Sequence, residues 1–258
     1  MKLLKRNDRR AEVKELQKLL NGYGFNCGKV DGAFGPKTYA AVKLFQSKRK
    51  LKTDGIVGPK TWDALKPTDP ILEKFIEWGF IGLMHEKSYK FMVQQFQSAM
   101  GLKADGIVGP KTKAALDSEV IVPRFTEKDM SCQCNKYCSG YPQGEISIGV
   151  RVLSERIMRE TEKTYPSAKF YITSKKTQSP GGATAGGYRC TKWNRLRGGA
   201  SGSQHKKCIA VDIGCNDATA RLRLEKNALS MNKYGGTGYG AKYIVHLDTR
   251  GNRARWKY

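Results

Sequence analysis

Along the first quarter of the chain apolar residues recur every three or four positions. Val13, Leu16 and Leu20 share one helical face, Ala41, Leu44 and Phe45 share another, and Trp62 with Leu65 marks a last short helix. The three together predict a small helical bundle. Past residue 200 the period changes to two. In "CIAVDIG", Ile209, Val211 and Ile213 face one way, and Ala210 and Asp212 the other. In "YIVHLD", Tyr243, Val245 and Leu247 alternate with Ile244, His246 and Asp248. This predicts two strands, each with one apolar face and one face carrying polar groups.

Sliding the sequence on itself by 51 residues reveals a duplication. "FQS" at Phe45 meets "FQS" at Phe96, Leu51 meets Leu102, and "DGIVGPKT" at Asp54–Thr61 recurs letter for letter at Asp105–Thr112. A near copy, "DGAFGPKT", occupies Asp31–Thr38. The phrase reads as a helix starter. Asp-Gly makes a tight turn with positive φ open to the glycine, and Pro suits the first helical position, where no amide donor is needed. In the second copy the first phrase is replaced by "GLMHEKSY" at Gly82–Tyr89, and the loop histidine His85 is given no role. The expected division is a first module over residues 1–66, a divergent second module over 67–119, and a separate domain over 120–258. The fold class is then multidomain, with all-α three-helix-bundle repeats followed by an α+β domain with a small antiparallel sheet.

Charge narrows the partners. The 258 residues carry a formal net charge of +24, with +9 over residues 1–119 and +15 over 120–258. A polyanion is expected, and nucleic acid or the anionic polymers of a bacterial wall would both serve. The basic residues are scattered and no nucleic-acid motif accompanies them, so a nucleic-acid partner is not expected. The opening "MKLLKRNDRRAEV" lacks the apolar core of a signal peptide, and no later run approaches a membrane span. The expectation is synthesis in the cytoplasm without membrane insertion, as a monomer. Seven cysteines in such a chain read first as reduced thiols.

The candidate chemistry lies in the last third. His205 and Asp212 are seven residues apart, and His246 follows 34 residues later. Two imidazoles and a carboxylate are what a catalytic zinc ion uses, leaving a fourth position for water. If both segments are extended, Asp212 and His246 reach a common point from neighbouring strands, and His205 arrives from the Gly/Ser-rich loop. Two ordinary structural histidines would explain the same spacing. Asp248 shares the His246 face about 6.6 Å along the strand, a separation suited to supporting a ligand or relaying a proton.

Two resemblances sharpen these readings. The paired phrases around "AAVKLFQ" make residues 3–66 resemble the peptidoglycan-binding domain, a three-helix module of bacterial and phage wall hydrolases. "GGYRCTKWN", "GGASGSQHKKCIAVDIG" and "GYGAKYIVHLDTRG", in that order, make residues 124–253 resemble the zinc D-alanyl-D-alanine carboxypeptidase family, which includes phage L-alanyl-D-glutamate endopeptidases. That resemblance implies His205, Asp212 and His246 as zinc ligands, and Arg189 as the arginine that meets a substrate carboxylate or a developing oxyanion. A planar guanidinium suits either. It implies one catalytic zinc ion and a wall-lytic peptidase of endolysin type, stored in the cytoplasm and acting on the wall after release. The rival reading is a non-catalytic peptidoglycan binder with a structural zinc site.

The chain departs from the family pattern twice. Cys208 stands three residues after His205, where the family usually has Gly, and is expected to crowd the turn without ligating. Tyr243 and Ile244 stand where many members carry an acid or a histidine before the last ligand, which leaves the general base unassigned. "CQCNKYC", with Cys132, Cys134 and Cys138, supplies three sulfurs. It becomes a metal cluster only if Cys190, Cys208 or Cys215 joins it, and is otherwise a disulfide or a set of ordinary thiols.

Overall fold

The computed structural model describes residues 3–23, 25–65, 70–80, 89–126, 128–132, 134, 137–138, 147–173, 186–196 and 198–258. His85, the rest of the altered loop up to residue 88, and most of the loop Ser174–Gly187 lie outside the described residues. The chain forms two compact units, residues 1–89 and 90–258. The stretch 67–119, expected to be one module, is therefore shared between them. Nine α-helices and a five-stranded sheet are present among the described residues.

In the first unit α1 (Ala11–Gly22), α2 (Pro36–Lys48) and α3 (Pro59–Leu65) enclose a core that includes Val13, Leu16, Leu20, Phe34, Phe45, Trp62 and Leu65. The chain start is stitched to the end of this bundle, as Leu4 and Val57 exchange backbone hydrogen bonds of 3.1 and 2.8 Å. Helix α4 (Pro70–Glu77) follows and buries Phe75. Leu44, expected on the apolar face of α2, is 46 % exposed, because the bundle is closed by Ala41, Val42 and Phe45.

The repeated phrase does more than start helices. Its glycine takes the left-handed conformation each time, at φ 78 for Gly32, 74 for Gly55 and 78 for Gly106. A buried glutamine from the preceding helix fills each turn. Gln46 Oε1 accepts from Gly55 N at 2.8 Å, while its Nε2 donates to Asp54 Oδ1 (3.1 Å), Ile56 O (2.9 Å) and Thr61 Oγ1 (3.2 Å). Gln17 binds Gly32, Asp31, Ala33 and Thr38, and Gln97 binds Gly106, Asp105, Ile107 and Thr112, in the same way. An amide buried this deeply must satisfy both of its ends, and the Asp-Gly turn followed by Thr supplies the partners.

The second unit opens with α5 (Tyr89–Met100), all but its first residue, and α6 (Pro110–Leu116). Helix α7 (Ile148–Glu162) is buried along most of its length, the short α8 (Thr191–Leu196) follows, and α7 packs with α9 (Ala218–Met231) against the sheet. Arg124 clamps α7 by pairing with both Glu155 (2.9 Å) and Glu162 (2.6 Å). The strands are β1 (Phe170–Ile172), β2 (Ala210–Cys215), β3 (Gly236–Tyr239), β4 (Val245–Asp248) and β5 (Ala254–Lys257), in the order β1-β2-β4-β3-β5. The sheet is mixed, whereas an antiparallel one was expected. Strand β5 reverses direction after β4 but lies beside β3, and so runs parallel to it. Tyr243, expected inside, is 46 % exposed because β4 begins only at Val245.

Candidate metal centre

Register places the site. Strands β2 and β4 pair with Asp212 opposite His246 and Ala210 opposite Asp248. His205 arrives from a short 3-10 turn, Gln204–Lys207, that leads into β2. The turn closes on Cys208 at φ 59, a left-handed position where glycine carries no Cβ penalty. Cys208 is buried and belongs to neither group of possible metal ligands found among the described residues.

Three donor atoms converge. His205 Nε2 lies 3.2 Å from His246 Nδ1 and 3.2 Å from Asp212 Oδ1, and His246 Nδ1 lies 2.7 Å from the same carboxylate oxygen. A tetrahedral ion with ligand bonds of about 2.05 Å sets its ligands about 3.3 Å apart, close to the two edges from His205, while the edge from His246 to Asp212 is shorter at 2.7 Å. All three residues are at least 95 % buried. The far side of each ring is already committed, with His205 Nδ1 2.7 Å from Gly187 O and His246 Nε2 3.2 Å from Asp248 Oδ2. Those partners fix each tautomer so that the remaining nitrogen offers a lone pair inward. The donor set fits a zinc ion.

Asp212 divides its oxygens, giving Oδ1 to the imidazoles and Oδ2 to Arg189 Nη2 at 2.7 Å. Arg189 is held by a run of backbone bonds. Asp212 N donates to Gly186 O (2.7 Å), Tyr188 N to Met130 O (2.7 Å) and Arg189 N to His205 O (3.2 Å). The glycine pair in "GGYRC" permits this approach, because a Cβ at Gly186 would stand 2.6 Å from Asp212 O, and one at Gly187 2.5 Å from Met130 O.

Asp248 stands behind His246 and is fully buried. It accepts from Gly236 N (2.9 Å), from Arg250 N (3.1 Å), and from Arg250 Nε and Nη2 at 2.8 and 2.5 Å. Sequence reasoning passed over Arg250, although it sits inside "HLDTRG". It also passed over Trp256, whose ring centroid lies 5.0 Å from that of His246 and which Arg250 covers at 5.4 Å.

The charges follow from these contacts. Burial would push the Asp212 carboxyl up, but His205 and His246 hold it well below the usual range. Burial would likewise raise Asp248, and Arg250 with His246 keeps it low instead. His205 is lowered by its burial, which outweighs Asp212. Burial works the same way on His246, yet its hydrogen bonds to Asp212 and Asp248 prevail and lift it to about 9. Two ionised carboxylates thus flank His246, and the pocket is built to hold positive charge.

The chain matches known families along most of its length. Residues 9–65 and 90–116 match the family described as putative peptidoglycan binding domain, and residues 123–248 match Peptidase M15. A zinc D-Ala-D-Ala carboxypeptidase of Streptomyces albus G is 32 % identical over 136 residues, covering 48 % of this chain and 46 % of that protein. The chain thus spans about half the length of that relative. Among solved structures, the SleB N-terminal domain is 44 % identical over 25 % of this chain and 88 % of its own, with a TM-score of 0.25. A peptidoglycan-binding protein from Clostridioides difficile, in complex with glutamine hydroxamate, is 45 % identical over 25 % of this chain and 40 % of its own, with a TM-score of 0.24.

Proposed function

We propose, for a chain that joins a peptidoglycan-binding domain to a Peptidase M15 domain, that it is a zinc peptidase which hydrolyses an amide bond in the stem peptide of peptidoglycan. The observation that carries this reading is the buried triangle of His205 Nε2, His246 Nδ1 and Asp212 Oδ1, backed by Gly187 O, Asp248 and Arg189. When bound there, zinc supplies Lewis acidity, polarising a carbonyl and making water acidic near neutral pH.

The chain's own groups supply the rest. Gly187 O holds the His205 proton on Nδ1, and Asp248 holds the His246 proton on Nε2, so both rings keep the inward nitrogen available. Arg250 neutralises Asp248 and prevents that carboxylate from drawing a proton into the core. Arg189 places a permanent cation one hydrogen bond from the ligand carboxylate, where it meets a substrate carboxylate or the oxyanion of the cleaved bond. Asp248 is a positioning residue in this reading, since it is fully buried and acts through His246.

The first unit concentrates the enzyme on its insoluble substrate, which raises the local concentration of stem peptide without altering the site. The net charge of +24 favours adsorption to a wall bearing anionic polymers. An endolysin-like role, with action on the wall after release from the cytoplasm and as a monomer, completes the reading. The test is digestion of purified sacculi with the zinc-loaded protein, followed by mass spectrometry of the released fragments. Release of D-alanine, or of peptides beginning with D-glutamate, is expected and identifies the bond. Zinc retention with no new amino groups from any peptidoglycan chemotype would leave a binder in place of a hydrolase.

A further inference from the structure

A second convergence of donors lies in the same unit. The Sγ atoms of Cys132, Cys134, Cys138 and Cys190 all lie within 4.8 Å of one another. Three of the cysteines are more than 90 % buried, and Cys138 is half-buried. Tyr188 and Trp193 pack against the group. Cys190 comes from 52 residues beyond Cys138, so the fold, not local spacing, completes the set.

The distances separate the chemical options. A disulfide needs sulfurs about 2.05 Å apart, and Cys134 Sγ and Cys138 Sγ stand 3.4 Å apart. No disulfide joins any of the described cysteines. Four thiolates around one zinc at Zn–S of about 2.3 Å have tetrahedral edges of about 3.8 Å, which falls between that 3.4 Å contact and the 4.8 Å limit of the cluster. An iron–sulfur cluster interposes several irons and sulfides between its cysteines and needs a wider cage. Backbone amides already point at two of the sulfurs, with Cys190 N 3.4 Å from Cys132 Sγ and Tyr137 N 3.4 Å from Cys134 Sγ. Such N–H···S bonds are the outer partners that thiolate ligands use.

We infer that Cys132, Cys134, Cys138 and Cys190 bind a second zinc ion, structural in role and closed to substrate by four sulfur ligands. Its place gives it a consequence for the first site. Cys190 adjoins Arg189, whose guanidinium binds Asp212, and Met130, two residues before Cys132, accepts from Tyr188 N at 2.7 Å. The ion ties Cys132, Cys134 and Cys138 to the run 186–190, and so sets where Arg189 stands.

Cobalt substitution of the wild-type chain, purified without oxidant, tests this independently of the hydrolase reading. A tetrathiolate site gives intense sulfur-to-cobalt charge-transfer bands in the near ultraviolet, which the His/Asp site, having no sulfur ligand, cannot produce. Those bands are expected at one equivalent of thiolate-bound cobalt per chain. They should persist in His246→Ala and disappear in Cys134→Ser and Cys190→Ser. Elemental analysis should show each serine variant holding one zinc fewer than wild type. If a serine variant fails to fold, the wild-type spectrum still decides. Absence of the charge-transfer bands, zinc content unchanged in both serine variants, or an intact mass showing the four cysteines paired as two disulfides would each overturn the site.

Discussion

Replacing Asp248 by Asn isolates the support behind His246, a proposed zinc ligand, without changing the size of the side chain. The carboxylate accepts from His246 Nε2, Gly236 N and the Arg250 backbone and guanidinium, and it is fully buried. An amide can keep Oδ1 against Gly236 N and Arg250 N, but its NH₂ then faces two donors, Arg250 Nη2 and His246 Nε2. The ring can meet that NH₂ only by moving its own proton to Nδ1, the atom aimed at the metal. Losing one hydrogen bond to a charged group costs about 1.5–3 kcal/mol, and at about 1.4 kcal/mol per decade this is roughly 10–100-fold, the range typical of partners behind a metal ligand. We therefore expect Asp248→Asn to bind zinc roughly 10–100-fold more weakly, measured by competition with a chromophoric chelator. At saturating zinc it should still release peptide from sacculi more slowly than wild type. Far-ultraviolet circular dichroism verifies that the variant is folded, and Arg250→Gln, which leaves the carboxylate but removes its counterion, should weaken zinc in the same direction. A Kd and a rate both within threefold of wild type would refute the argument.

Other outcomes follow from the same contacts. His205→Ala, Asp212→Ala and His246→Ala should each lose the zinc of that site and the hydrolytic activity, read by elemental analysis and peptide release from one sample; retention of that zinc in all three would refute the ligand assignment. Gln46→Leu leaves the buried Gly55 N without its amide partner, while Ile56 O keeps Gly58 N. At about 1–3 kcal/mol per buried unsatisfied group, protection of amides in residues 46–62 should fall by roughly 1–3 kcal/mol in hydrogen exchange, and a change under 0.5 kcal/mol would contradict the network. Burial would push the Glu155 carboxyl up, but Arg124 and Arg159 hold it below the usual range. A depressed folded-state pKa contributes stability above the unfolded value of about 4.3 and loses it as pH falls through the folded one. The urea midpoint of Glu155→Gln should thus lie below wild type at pH 7, with the gap closing as pH falls from about 4.3 through the depressed folded-state value. A gap that widens on acidification would reverse the assigned sign.

The sequence carried what depends on local period. Alternation in "CIAVDIG" and "YIVHLD" put Asp212 and His246 on facing positions of adjacent strands, and the register of β2 with β4 has them directly opposite. Groups that meet only through the fold were hidden. Cys190 completes the sulfur cluster from 52 residues away. Arg250 lies only two residues beyond Asp248, yet its pairing depends on the turn after β4 and on Gly236, where any side chain would collide with the Asp248 carboxylate. The repeated phrase was legible as a turn and helix start, but not as a socket for glutamine. That role shows only when Gln17, Gln46 and Gln97 are seen inserted from three different helices. A left-handed Cys208 could have been anticipated, because the residue stands where the related family carries glycine.

The 51-residue duplication predicts two alike helices, α2 and α5, and their differences explain what the second became. Gln46 and Gln97 are equivalent and fill equivalent turns. Two residues earlier the copies diverge, with Leu44 46 % exposed on α2 and Gln95 3 % exposed on α5. Residues two apart on a helix point about 200° away from each other, so Gln97 serves the repeat while Gln95 serves the opposite face. Gln95 donates to Thr249 O at 2.9 Å and accepts from Thr249 Oγ1 at 2.6 Å, immediately after Asp248. Ser98 donates to Tyr234 O at 3.0 Å, and Arg156 donates to Ala99 O at 2.5 Å. The matching positions on α2 are Ser47 and Lys48, both exposed. With Gln and Ala where the first copy has Leu and Lys, an exposed face is replaced by a packed one, and α5 forms part of the second unit. Mutating that face should therefore be felt at β4. Gln95→Ala leaves Thr249 without its amide partner at the end of the strand carrying His246 and Asp248. It should weaken zinc binding although Gln95 belongs to the repeat by descent, whereas Leu44→Ala, at the equivalent place on α2, should leave zinc affinity unchanged.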